Sequence, residues 1–84
     1  MNSVSISLKE TKYSYDAAGL VQLACTFQSR LTIRNNQGEY NVKSIMGMLS
    51  LNPRDGLLTV TADGPDEEAA LSAVVEFMKS EKNS

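Results

Sequence analysis

Ser44 is the residue of this chain best placed to do chemistry. It lies in the stretch Asn41 to Leu51, NVKSIMGMLSL. A serine between an alternating run and a cluster of apolar residues stands where a helix N-cap belongs. There its hydroxyl can accept from a free backbone N–H one turn further on. The same hydroxyl can take a phosphoryl group. That would add roughly −1.5 to −2 charges at a helix N-terminus, where the helix dipole favours negative charge. Lys43 stands beside it, and Ile45, Met46, Met48, Leu49 and Leu51 follow closely. The spacing allows Ile45, Met48 and Leu49 to share an inward face and sends Met46 to the surface, as part of a partner surface that added charge would alter. Tyr13 and Tyr15 read either as amphipathic residues of a surface loop or as interface anchors. Cys25 is the single cysteine, so no internal disulfide forms, and it reads as a small apolar residue on a helix. The sequence has no histidine. That excludes a histidine-based triad, a histidine general base, the usual zinc set and the ordinary means of activating the thiol. No D-x-[DN]-x-[DN]-G loop is present, so neither a metal nor a cofactor is expected.

The elements that position these groups follow from periodicity. Ser3 to Leu8 alternates, with Val4, Ile6 and Leu8 on one face, and predicts a strand. Lys9 to Tyr13 is polar and reads as a loop. Ser14 is placed to cap a helix over about Tyr15 to Phe27, with Asp16 in its first turn and Ala17, Leu20, Val21, Ala24 and Phe27 as its buried stripe. Gly19 inside that helix costs about 1 kcal/mol relative to alanine, so a close packing contact is expected there. Arg30 to Asn35 predicts a strand with Leu31 and Ile33 inward. Asn35 to Gly38 is a turn, and Glu39 to Val42 pairs back as a hairpin. The Ser44 helix comes next, then turn residues at Asn52 to Gly56. Leu57 to Ala62 is a strand with Leu58, Val60 and Ala62 on one face. Asp66 is placed to cap a last helix with Glu67 and Glu68 in its first turn and Leu71, Val74, Val75 and Met78 as its stripe. The tail from Glu81 is expected to fray.

The order is β-α-β-β-α-β-α. Half-buried strands with three helices suit an α+β fold: a four-stranded antiparallel sheet covered on one face by three helices, an open-faced β-sandwich. Pattern alone leaves the strand order open. The 84 residues suffice for one domain, 1–84, with one modest core. No apolar run approaches the ~20 residues that span a bilayer, and MNSVSISLKE lacks the pattern of a secretory signal, so a cytoplasmic location is expected. The formal net charge of −2, with Arg30, Arg34 and Lys43 scattered, argues against general nucleic-acid binding.

Three segments together, AAGLVQLA, KSIMG with its apolar-Ser-Leu tail, and DGPDEEAALSAV, resemble the HPr family, the phosphocarrier proteins of the bacterial sugar phosphotransferase system. The resemblance spans essentially the whole chain and implies the same open-faced sandwich. The family's other signature is Gly-aliphatic-His-Ala-Arg-Pro-Ala, and here Thr11 to Ala17 reads TKYSYDA instead. Aligned through Ala17 and Ala18, Tyr13 stands at the active histidine, Tyr15 at the arginine and Asp16 at the proline. A phenol, with an ordinary pKa of about 10, forms an ester that gives up its phosphoryl group reluctantly. The arginine that steadies phosphate is replaced, and Asp16 adds like charge. Phosphohistidine carrier activity is therefore not expected, and no catalytic residue is assigned.

The serine motif, by contrast, is intact. In the Gram-positive branch of the family this serine is phosphorylated by HPr kinase/phosphorylase, and the product binds catabolite control protein A, a transcription regulator. The resemblance thus implies phosphorylation of Ser44 and a partner surface of Lys43, Ile45, Met46, Gly47 and Leu49. A kept serine motif with a replaced histidine is similar to catabolite repression HPr, the family's non-carrier paralogue. The expectation is a bacterial cytoplasmic regulatory protein, not an enzyme, acting in carbon catabolite regulation. The alternatives are a phosphocarrier with an altered site at Tyr13 and a plain HPr-shaped binding module.

Overall fold

The structure, a computed structural model, describes residues 1–7, 15–52 and 57–80. Along the chain come β1 (Asn2–Ser7), α1 (Ala17–Ala24), β2 (Arg30–Arg34), β3 (Glu39–Asn41), α2 (Ile45–Ser50), β4 (Leu57–Asp63) and α3 (Glu67–Ser80). The strands form one antiparallel sheet in the order β1-β4-β2-β3. β4 lies in the middle, with Val60 opposite both Val4 of β1 and Ile33 of β2. This register puts Ile6, Leu31, Ile33, Leu58, Val60 and Ala62 on one face, all buried. The helices supply the other half of the core through Leu20 and Ala24 of α1, Met48 of α2, and Ala70, Val74 and Met78 of α3. The expected α+β open-faced sandwich is therefore the fold, and the β2–β3 hairpin pairs as the sequence indicates. Its turn is held by Asn35, whose side-chain oxygen accepts from the Gln37 and Gly38 N–H groups at 2.8 and 3.0 Å.

Several expectations about element ends are corrected. The cap of α1 is Asp16, not Ser14: Asp16 is extended and its carboxylate accepts from the Gly19 N–H at 3.2 Å. The helix therefore starts two residues later than expected, and it stops at Ala24, where Cys25 forms the C-cap. Cys25 is exposed there rather than part of an apolar face. Phe27 lies beyond the helix, packed against the core. Gly19 has the close contact expected of it. A Cβ at this position would lie 2.5 Å from the tip of the Phe77 ring. Leu8, the loop from Lys9 to Tyr13, Ser14, the turn residues 53–56 and the tail 81–84 lie outside the described residues.

Asp66 stands at the N-cap position of α3 as expected, its carbonyl accepting from the Ala70 N–H at 2.9 Å, but its side chain is used elsewhere. Its carboxylate reaches across the chain to the residues entering β2, accepting from the Gln28 and Ser29 N–H groups at 2.9 Å each and from the Ser29 hydroxyl. It thereby ties the start of α3 to the start of β2. The Ser29 hydroxyl and these N–H groups hold its carboxyl below the usual carboxylate range. Glu67 is lowered as well, by the Met1 ammonium at 2.8 Å and the Gly64 N–H. A depressed native pKa stabilises the fold above the group's ordinary value, and that stability is lost as pH falls through the native value. Urea midpoints should accordingly hold above about pH 4 and fall below it. Asp66→Asn should be less stable at neutral pH and lose less on acidification. An acid slope as steep in the variant as in the parent would show that Asp66 is not one of its sources.

Candidate functional site

α2 has six residues, too few for a helix to hold itself, so its order comes from its ends and one buried side chain. Ser44 is extended, with φ −108° and ψ 115°, and its Oγ accepts from the Gly47 N–H at 3.2 Å. Its own N–H donates to the Asn41 carbonyl at 3.0 Å, and its carbonyl accepts from the Met48 N–H at 2.9 Å. The expected capping serine is thus in place. Lys43 is anchored: its N–H donates to the Asn41 side chain at 2.9 Å, and its ammonium donates to the Phe27 carbonyl at 2.8 Å. This anchors the Lys43 ammonium and closes the loop that follows α1.

The apolar residues of α2 divide differently from the expected division. Met48 is fully buried and Leu51 nearly so, whereas Ile45, Met46 and Leu49 are 40%, 73% and 67% exposed. Met46 faces outward as expected. Ile45 and Leu49 do not join Met48 in the core, because α2 lies over α1 and the β3 end of the sheet and has only one side to bury. Three large apolar side chains consequently stand in solvent within one turn and a half of Ser44. Gly47 is not required there by crowding. A Cβ on it would meet the Ser44 Oγ at 3.5 Å, an ordinary contact. Its lack of a side chain leaves the hydroxyl open on that flank.

The far end of α2 is held by Tyr15, a contact that local sequence pattern did not reveal. The Tyr15 hydroxyl donates to the Met48 carbonyl, one of the last-turn carbonyls without a partner inside the helix, and lies 3.5 Å from the Met48 sulfur. Burial pushes the phenol up to about 12, so it remains a donor across the physiological range. Tyr15 is therefore not a loose surface-loop tyrosine. It joins the lead-in of α1 to the end of α2. The only signal for this in the sequence is an aromatic residue two positions before a helix, which fixes no partner. Tyr13 lies outside the described residues. At the N-terminus of α1 itself, the Asp16 carboxylate already takes the Gly19 N–H.

Ser44 offers a hydroxyl at this surface, and a serine needs an outside base and donor to become phosphorylated. Among the described residues, no group of three or more His, Cys, Asp or Glu side chains is placed to hold a metal ion. No described helix is long and apolar enough to cross a membrane.

A family model described as the PTS HPr component phosphorylation site matches residues 3–80. Among solved structures, HPr-C-His from Thermoanaerobacter tengcongensis is 33% identical, with a TM-score of 0.84 over 100% of this chain and 98% of that one. The histidine-containing phosphocarrier protein of a mycoplasma is 27% identical, with a TM-score of 0.81 over 96% of both chains. The Bacillus subtilis catabolite repression protein Crh, described as a dimer with a swapped domain, is 32% identical. It has a TM-score of 0.70 over 82% of this chain and 84% of that one.

Proposed function

The chain belongs to the HPr family of the sugar phosphotransferase system, and from that premise we propose that it is a regulatory member, phosphorylated on Ser44 and not a phosphohistidine carrier. HPr proteins are phosphocarriers rather than enzymes, and their own phosphorylation is the signal they pass on. The observation that carries the reading is the pairing of the capped, one-side-open Ser44 hydroxyl with exposed Ile45, Met46 and Leu49. The absence of any histidine removes the family's usual acceptor, and Tyr13 and Tyr15 stand at the family's histidine and arginine positions.

In the proposed step the Ser44 Oγ attacks the terminal phosphorus of ATP. A base of the kinase takes the hydroxyl proton, and ADP leaves. The kinase is HPr kinase/phosphorylase. The new dianion sits at the start of α2, where the helix dipole favours it, and needs little movement of the fold. Catabolite control protein A then reads the phosphate together with Lys43, Ile45, Met46, Gly47 and Leu49. In this reading the protein acts in the cytoplasm, in carbon catabolite regulation.

Incubation with that kinase and ATP should add the mass of one phosphoryl group to the intact protein, and Ser44→Ala should add none. A kinase that modifies an authentic HPr but not this chain would overturn the assignment, as would a phosphoryl group retained in the variant. Label from phosphoenolpyruvate and enzyme I, appearing on Tyr13, would instead favour a carrier with an altered site.

A further inference from the structure

The two edges of the sheet are protected very differently. β3 is three residues long and carries Glu39, which are ordinary defences of an edge against foreign strands. β1, the other edge, runs for six residues as NSVSIS, with no charge and no proline, and among the described strands it pairs with β4 alone. Beside it lies a groove of about 400 Å³ whose opposite wall is α3. Val4, Leu71 and Val75 form a half-buried apolar floor, and Glu68 and Glu76 stand exposed along the helix side. Among the described residues neither glutamate has an ion pair or hydrogen bond. The nearby Met1 ammonium and Asn2 amide are both taken by Glu67, at 2.8 and 3.0 Å. Among the described residues the groove is therefore apolar below, acidic on one rim, and bordered by the strand backbone of Asn2 to Val4.

We propose that this groove is a docking site for an extended, basic segment of a partner protein. The segment adds to β1 as a fifth strand, with alternate apolar side chains over Val4, Leu71 and Val75 and lysine or arginine facing Glu68 and Glu76. Backbone pairing gives affinity in this mode of recognition, and the alternating side chains give selectivity. Charge decides against a second copy of the chain. A two-fold β1–β1 pairing continues the sheet and brings both α3 helices to one side of the seam, so Glu68 and Glu76 of both copies gather there as like charge. α2 packs on α1 and β3, so the groove is separate from the Ser44 surface and independent of its modification.

The test is a heteronuclear NMR titration of the full chain with a capped peptide of alternating lysine and valine, long enough to span β1. The same peptide with glutamate for lysine serves as the counter-probe. Saturable shifts should fall on the β1 amides and on Leu71 to Glu76, and leave Ser44 to Ser50 unmoved. Binding should weaken strongly at about 1 M salt, where the screening length is ~3 Å. Glu68→Lys with Glu76→Lys, both at exposed positions, should lose roughly tenfold in affinity for the basic peptide and accept the acidic one. Four results would each overturn the proposal: no saturable shift, shifts centred on α2, equal binding of both peptides by the parent protein, or β1 shifts that follow protein concentration alone with a doubled sedimentation mass. Because the parent titration maps the site by itself, a charge variant that failed to fold would not remove the test.

Discussion

Gly64→Ala should lower the stability of the fold by about 3 kcal/mol. A Cβ at this position would stand 2.7 Å from the Ser29 Cα and Oγ and 3.0 Å from its Cβ. Real carbon contacts sit near 3.5–4.0 Å, and a backbone Cα cannot turn aside as a side-chain tip can. Gly64 also has φ +158°, at the border of what an L side chain adopts. Ser29 is fully buried and bonded to Asp66, and the Gly64 N–H donates to Glu67. Any shift that relieves the clash therefore strains the tie between β2 and α3. Overpacking alone costs about 1–3 kcal/mol, and the disturbed hydrogen bonds place this case at the upper end. For a domain of this size the thermal midpoint should fall by roughly 12–24 °C.

Gly19→Ala is the control. There the nearest atoms are the Phe77 ring tip at 2.5 Å and an Asp16 carboxylate oxygen at 2.7 Å, both at the ends of side chains. Both can move, and the gain in helix propensity opposes the loss of the cap, so the change should stay within about 1 kcal/mol. Urea unfolding of the two variants side by side reads the difference. A Gly64→Ala protein within about 0.5 kcal/mol of the parent would refute the clash as drawn.

The second large effect concerns Tyr15. Tyr15→Phe removes only the hydroxyl, leaving the Met48 carbonyl short of its donor, and should cost about 1 kcal/mol. Tyr15→Ala removes the half-buried ring as well and should cost about 2–3 kcal/mol. The signature of the phenylalanine variant is local. Exchange of the Gly47 and Leu51 amides, both engaged at α2, should quicken by up to about fivefold, beyond any change in the β4 amides. A pH series gives a second readout. The native phenol is raised to about 12 by burial. Stability should therefore be constant up to the ordinary value near 10 and decline as pH rises towards 12, because the unfolded chain ionises first. That alkaline decline should shrink in Tyr15→Phe. Unchanged α2 exchange and an unchanged alkaline limb would show that the hydroxyl does not hold the helix.

What was legible in the sequence was whatever near neighbours encode. The alternation in β1, β2 and β4 assigns the inward faces because successive side chains in a strand point opposite ways. The Ser44 cap follows because a hydroxyl ahead of a helix has N–H groups within reach whatever the rest of the chain does. The turn at Asn35 and the hairpin it makes are equally local. The segments resembling HPr proteins carried the family, and the intact KSIMG beside the replaced histidine motif framed the functional proposal.

Tertiary structure decided the rest, and each instance spans a long stretch of chain. Tyr15 meets Met48 across 33 residues, and Asp66 meets Ser29 across 37. A tyrosine or an aspartate has many possible partners, and which one it reaches depends on the strand order, which periodicity leaves open. The division of α2 into buried Met48 and exposed Ile45, Met46 and Leu49 likewise follows from the one side that α1 and β3 offer it. Gly64 reads in the sequence as an ordinary turn glycine. Only the approach of Ser29, brought there when the sheet closes beneath α3, makes it a position where one added carbon does not fit.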